Sequence, residues 1–369
     1  MKPKLIIAWL VALLLISPAG FSQGNPQNDG QKGKKSQQDK DNDAKKLNGQ
    51  GQQEFAKANA DFKKVNNPSF DISANNEVNN VADKKNLHGI SGAPNDADAD
   101  KQDNENKKNE KQISDKLKAE KNIAGASLDA GGKGGGKQPS ASTTGVGAAW
   151  TDGSFWATYM AVPTRNQGGC GSCWAFAACG AFEHTYKYMF GATLDLSEQD
   201  VVACGMSSCG TTDAGSCGGG WSDRALSWMT CRGVASEAAY NYTATSGPCY
   251  SKPVYKKAYT WGRVPYYDGT YRKEWIKYYL TIYGAVTTYM RAGLSTFYSY
   301  AGGVYNGYPN QGGWGNIDHA VTIVGWSESL QAWLIKNSWG PTWGFNGYAW
   351  VGYNQCNIGY YCYFVYPNQ

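Results

Sequence analysis

Cys173 is the residue whose neighbours best equip it to act as a nucleophile. It lies in Gln167-Gly-Gly-Cys-Gly-Ser-Cys-Trp-Ala-Phe176, where glycines break regular structure just before a mostly apolar run, Trp174 to Glu183. That pattern predicts a buried helix with Cys173 in its first turn. A helix N-terminus presents unsatisfied N–H groups and the positive end of the dipole, both of which favour a thiolate. Taken alone, the spacing Cys170-x-x-Cys173 also fits half a zinc site or a redox pair. Zinc needs a second closely spaced Cys/His pair and a redox pair needs a short βαβ setting; neither is present, so no metal or cofactor is expected. A nucleophile instead demands a distant histidine and a group to orient it. His319 heads the β-branched run His-Ala-Val-Thr-Ile-Val-Gly325, and Asn337 follows Trp333-Leu-Ile-Lys336. Both runs read as core strands, and an antiparallel pair joined by the polar loop near Ser327 to Gln331 can set the two side chains together. An asparagine accepting from one ring nitrogen fixes the tautomer and leaves the other nitrogen for the sulfur.

Four separated motifs, Gln167 to Phe176, Cys217-Gly-Gly-Gly220, Asp318-His-Ala-Val321 and Asn337-Ser-Trp-Gly340, resemble in type and order those of the papain family of cysteine peptidases. The resemblance runs from about Trp150 to the C-terminus. It implies an α+β fold of two lobes, one helical and one β-barrel-like, with the active-site cleft between them. It also implies peptide hydrolysis by Cys173 as thiolate, His319 as its imidazolium partner and Asn337 as orienter. Gln167 and the Cys173 N–H would form the oxyanion hole, with Trp339 shielding the His319–Asn337 bond. Protein or peptide substrates would then bind along Gly220, Trp221, Ser222, Tyr289, Ile317, Asp318, Trp339 and Tyr361. The alternative is a non-catalytic papain-like binding protein, which would be expected to lack one of the catalytic set.

The same resemblance pairs Cys170 with Cys217 and Cys204 with Cys249. It gives Cys356 no usual partner, with Cys362 the nearest substitute, and leaves Cys179, Cys209 and Cys231 unassigned. All ten cysteines follow Val146, and an even number in a secreted chain argues for disulfides.

Ahead of residues 146–369 the composition differs. Residues 1–22 carry Lys2 and Lys4, an apolar run from Leu5 to Ile16 and small residues near Ser22, the pattern of a signal peptide. A secreted or otherwise extracytoplasmic protein without stable membrane association is expected, monomeric by the same resemblance. Residues 23–145 are rich in Lys, Asp, Asn, Gln and Gly and predict a mostly disordered region or linker. Within it, residues 52–90 resemble in worn form the family's inhibitory pro-segment, which would make the chain its own inhibitor; a featureless spacer is the other reading. Of 35 basic and 30 acidic residues, 13 and 12 lie from Val146 onward, and elsewhere the two signs are interspersed. That argues against a nucleic-acid partner. His88, in this polar region, is expected to be a solvated surface side chain. The many tyrosines near Tyr298 to Tyr308 read as half-buried strand packing rather than a carbohydrate platform.

Overall fold

The computed structural model describes residues 35–90, 96–108, 112, 115–116, 154–155, 162–205, 213–264, 272–311 and 316–369. The expected signal peptide of 1–22, the glycine run at 131–136 and Cys209 lie outside the described residues. In chain order the elements are helices α1 Gln37–Ala44 and α2 Gly49–Phe62, strand β1 Phe70–Ile72, helices α3 Asn76–Asn79 and α4 Asp96–Lys108, and strand β2 Ser154–Phe155. Helices α5 Cys173–Phe190 and α6 Glu198–Cys204, strands β3 Gly215–Ser216 and β4 Gly219–Gly220, and helix α7 Ser222–Cys231 build the first lobe. The second holds β5 Ala258–Arg263, α8 Arg272–Tyr283, β6 Val286–Met290, α9 Ser295–Tyr298, β7 Tyr300–Tyr305, β8 His319–Ser327, β9 Ala332–Lys336, β10 Tyr348–Gly352 and β11 Cys362–Pro367. No helix among the described residues is long and apolar enough to cross a membrane.

The sheet runs β1-β7-β10-β9-β8-β6-β11-β5, with β2 paired to β8. Strands β8 and β9 are buried along their whole length, as their continuous apolar runs require. One core lies against this sheet and includes Trp326, Trp333, Trp343 and Trp350; the other packs around α5 and α7 with Trp174, Trp228 and Trp261. Tyr298, Tyr300 and Tyr305 are core residues rather than half-exposed ones. Helix α5 is seated tightly on β8: a Cβ on Gly180 would come within 2.8 Å of Thr322 Oγ1, and Thr322 Oγ1 donates to Ala177 O at 3.2 Å. Because β8 begins at His319 and α5 begins at Cys173, this packing sets the two side chains on facing walls.

Cys170–Cys217 and Cys204–Cys249 are disulfides, and Cys231 is disulfide-bonded as well. Cys179 is a buried thiol on α5. Cys356 and Cys362 are not joined, contrary to the expected substitute pairing. Each is fixed by its own backbone pairing: Cys356 sits at a left-handed turn (φ 57°) with its N–H on Tyr308 O, and Cys362 faces Thr288 across β11 and β6. Replacing Cys170 by alanine is expected to lower stability by roughly 2–5 kcal/mol, because the bridge closes a long loop beside Cys173. Thermal unfolding checks this.

The expectation of disorder for 23–145 does not hold for residues 35–90 and 96–108, which fold onto the two lobes. Polar side chains cap their own helices, Ser36 accepting from Asp39 N, Asn48 from Gly51 N, and Asn75 from Glu77 N and Val78 N. The few apolar residues, Phe70, Ile72, Val78 and Leu87, join the sheet-lobe core instead of forming one of their own. Strand β1 extends the sheet by pairing antiparallel with β7, Phe70 opposite Gly303. Composition measures only what a segment can bury by itself, and this one borrows its core.

Candidate active site

The nucleophile wall starts with Gln167 and the left-handed Gly168 (φ 58°), passes the Cys170–Cys217 bridge and enters α5 at Cys173. Ser172, the N-cap, makes no side-chain cap; its hydroxyl is 2.6 Å from Tyr242 Oη. Cys173 is fully buried, and the N–H of Ala320 donates to its Sγ at 3.4 Å. This contact ties the sulfur to the residue after His319.

On the facing wall His319 Nε2 lies 2.8 Å from Asn337 Oδ1, which also accepts the Ser338 N–H at 2.8 Å. The backbone donor identifies that amide atom as oxygen, so Nε2 carries the hydrogen and Nδ1 is left as the acceptor. His319 Nδ1 is buried and has no hydrogen-bond partner among the described residues. The Trp339 ring lies 4.9 Å from the His319 ring, covering it from solvent. Gln167 is held by Ser338 Oγ, which donates to Oε1 at 2.6 Å, and its Nε2 donates to Cys170 O at 2.8 Å and Asn86 O at 3.2 Å. Thus Gln167, Cys173, His319 and Asn337, far apart in the chain, converge on one point.

Residues 84–90 cross that point. A 3-10 turn, Lys84–Leu87, is capped by Asp83, and the Leu87 carbonyl accepts from Trp339 Nε1 at 3.0 Å. Gly89 passes over the nucleophile so closely that a Cβ there would be 3.1 Å from Cys173 Sγ and 2.1 Å from Gly171 O. Its carbonyl accepts from Gly220 N at 2.7 Å, and the N–H groups of Gly89 and Ile90 reach Asp318 O at 3.2 Å. Ile90 packs into one cluster with Trp221, Tyr289, Ile317 and Tyr361.

His88 corrects the expectation of a solvated histidine. Its side chain is 14% exposed, its Nδ1 lies 4.0 Å from Asp318 Oδ2, and its Nε2 is 2.9 Å from Tyr298 Oη. Burial first, and the Arg291 guanidinium second, push it down to about 4.

The covered site is electrically quiet. Burial pushes the Cys173 thiol up to about 12, partly opposed by the Ala320 N–H. Burial also pushes His319 down to about 4, with His88 adding to it and Asn337 opposing. In this closed state burial under the covering segment, which takes the place of water, works against the charged forms of both Cys173 and His319.

Of the sequence-predicted substrate residues, Gly220 and Asp318 hydrogen-bond the crossing segment, Trp339 donates to Leu87 O, and Trp221, Tyr289, Ile317 and Tyr361 share a cluster with Ile90, whereas the Ser222 hydroxyl donates to Trp174 O at 2.9 Å. Asp223 went unnoticed in the sequence. It is buried in the first turn of α7 and accepts from Tyr289 Oη at 3.1 Å, and burial pushes its carboxyl up to about 6. An acid two residues into a helix after a glycine run was the available signal. Arg291, whose guanidinium lies 2.9 Å from Asp318 Oδ2, was also missed.

A thiol at a helix N-terminus and an asparagine-oriented histidine on the facing sheet lobe define a two-lobed cysteine-hydrolase architecture. The papain family cysteine protease description matches residues 153–366, and the chain belongs to that family. It is similar to mouse cathepsin K, at 35% identity over 199 residues covering 53% of this chain and 57% of that protein. Human cathepsin L2 is 35% identical over 207 residues, covering 53% of this chain and 60% of its own length. The chain thus spans little more than half the length of these relatives. Among solved structures, the proform of the Amb a 11 cysteine protease, a ragweed pollen allergen, superposes with a TM-score of 0.50 at 31% identity, covering 59% of this chain and 65% of that one.

Proposed function

We propose that the chain is a secreted, latent cysteine endopeptidase whose own residues 52–90 block its cleft. The observation that carries the catalytic part is the oriented His319: Nε2 is committed to Asn337, while Nδ1 is unpartnered opposite a helix-terminal cysteine. Once the cleft is open, Cys173 Sγ attacks the peptide carbonyl carbon and its proton resides on His319 Nδ1. The oxyanion is held by the Cys173 N–H and Gln167 Nε2, a donor engaged by the Asn86 carbonyl in the closed state. His319 then protonates the leaving amine as the C–N bond breaks, leaving a thioester. Water, deprotonated by His319, attacks the thioester, releases the carboxylic acid and restores the thiol. An active-site-directed epoxide should label Cys173 after processing. Labelling elsewhere, or none, would favour the non-catalytic binding protein. A processing cut between Lys108 and Ser154 would keep β2, which pairs with β8, in the enzyme. The disulfides fit an extracytoplasmic compartment.

Acid is expected to open the closed state through His88. Docked, it is neutral, with its pKa depressed to about 4; released, it would titrate near 6.5. A depressed pKa contributes to docking above 6.5 and loses that contribution as pH falls toward 4, at most about 3 kcal/mol. Asp318, raised mainly by burial, works the other way, so the decisive comparison is with His88→Gln. Epoxide labelling of the full chain should rise between pH 7 and 4, with a flatter profile in His88→Gln. An identical profile would remove His88 from the account.

For substrates, the pocket beside Ile90 should take Val, Leu or Pro over Phe, Tyr or Arg. Tyr289 and Tyr361 reduce its depth, and Asp223 offers no open anion because Tyr289 Oη covers it. A positional peptide library in which arginine cleaves best would show that the pocket has been misassigned.

A further inference from the structure

Strand β5 ends the nine-stranded sheet; β11 pairs with one side of it, and α4 lies along the other. A terminal strand presents unpaired backbone groups that natural sheets cover or blunt. Here the covering is specific. Asn106 Nδ2 donates to Trp261 O at 2.7 Å, and Arg263 N donates to Asp103 Oδ1 at 3.2 Å, so side chains of α4 satisfy consecutive outward-facing groups of the edge. The Arg263 guanidinium, 3% exposed, reaches Asp100 Oδ1 at 2.6 Å and Asp103 Oδ2 at 3.2 Å. Thr260 Oγ1 donates to Asn106 Oδ1 at 2.6 Å. Gly262 leaves room for this approach, since a Cβ there would come within 2.8 Å of Asn106 Nδ2. Farther on, Lys116 Nζ lies 5.2 Å from the Tyr259 ring centroid and 5.7 Å from that of Tyr366, continuing the contact along β5 and β11.

Helix α4, Asp-Ala-Asp-Ala-Asp-Lys-Gln-Asp-Asn-Glu-Asn-Lys-Lys, has no large apolar residue with which to bind anything. Its attachment rests mainly on Asp100, Asp103 and Asn106, spaced by three along one face, with Gln102 Nε2 adding a bond to Thr260 Oγ1 at 3.2 Å. We propose that the outer edge of β5 is a docking site for an acidic helix, filled in this chain by α4, and that it is the second anchor of the pro-segment. The proposal rests on residues 52–90 being inhibitory. Before the cleft the segment is held by β1 on β7; after it, α4 on β5 keeps residues 84–90 from swinging out. Two anchors keep the local concentration of the crossing segment high after either one lets go.

The test uses the intact full chain at neutral pH, its mass verified, with the triple substitution Asp100→Ala, Asp103→Ala and Asn106→Ala. These side chains lie outside the enzyme domain, so its folding is not at stake. Two quantities are read: the rate of Cys173 alkylation by iodoacetamide, located by mass spectrometry, and hydrogen exchange at the Arg263 amide. The triple variant should alkylate about tenfold faster or more than the parent, with loss of protection at Arg263. Unchanged protection would mean that α4 is not held by these side chains and would overturn the docking site. Lost protection with unchanged slow alkylation would overturn the anchoring role while leaving the inhibitory reading of 52–90 intact. A parent whose Cys173 already reacts as fast as a free thiol would overturn both.

Discussion

Cys173→Ala is expected to take processed enzyme to the background of a peptide-hydrolysis assay, a loss of at least about 10⁴-fold, with an almost unchanged unfolding temperature. The size of the loss follows from what the sulfur does: no other group at the site can form the thioester, and residues acting as one unit lose nearly everything when one is removed. Stability should change little because the change deletes one atom, whose contact with Ala320 N at 3.4 Å is a weak one. The vacated space lies under Gly89 in the closed chain and faces solvent once the cleft opens. The contrast with Cys170→Ala, three residues away, is the internal control, since that substitution costs a disulfide while leaving the nucleophile in place. Residual hydrolysis above background in purified Cys173→Ala would end the assignment.

The convergence of Cys173, His319 and Asn337 was legible because each stands in a local pattern that states its own geometry. Glycines followed by an apolar run place Cys173 at a helix start, and β-branched runs place His319 and Asn337 on adjacent strands. What could not be read were contacts whose meaning depends on a distant partner. His88 sits in a polar stretch and reads as solvent-exposed until Tyr298, 210 residues on, is seen to close over it. Phe70, Ile72 and Leu87 are too few for a core and become buried only by joining that of another domain. The polar face of α4 looks like a solvated charge run, and only the unpaired edge of β5 gives Asp103 and Asn106 something to satisfy. The proposed pocket beside Ile90 fell between these cases. Tyr289 and Tyr361 stood out in the sequence, whereas Asp223, hydrogen-bonded to Tyr289, was hidden because a single acid in a helix's first turn has an ordinary explanation.

Gly89→Val in the full chain is expected to raise activity before any processing, by about 10- to 100-fold. At this position backbone passes between the nucleophile and the opposite wall, and the distances leave no space for a side chain: a Cβ would meet Gly171 O at 2.1 Å, its carbonyl carbon at 2.6 Å and Cys173 Sγ at 3.1 Å. Two of these are backbone atoms of the loop that carries the nucleophile and is tied down by Cys170–Cys217, so they cannot move aside cheaply. The covering segment must therefore yield, losing the Gly89 O bond to Gly220 N and the two N–H bonds to Asp318 O. Once it lifts, water reaches Cys173 and His319, and the burial that works against their charged forms is relieved. The rest of the pro-segment, β1 on β7 and α4 on β5, stays in place, so the gain should fall short of that produced by complete removal. Gly49→Ala serves as the control, because a Cβ there meets nothing within 4 Å. Initial rates on a fluorogenic peptide, with chain integrity checked by mass, decide the matter. A Gly89→Val chain as silent as its parent would mean that the crossing at Gly89 is not what keeps the enzyme latent.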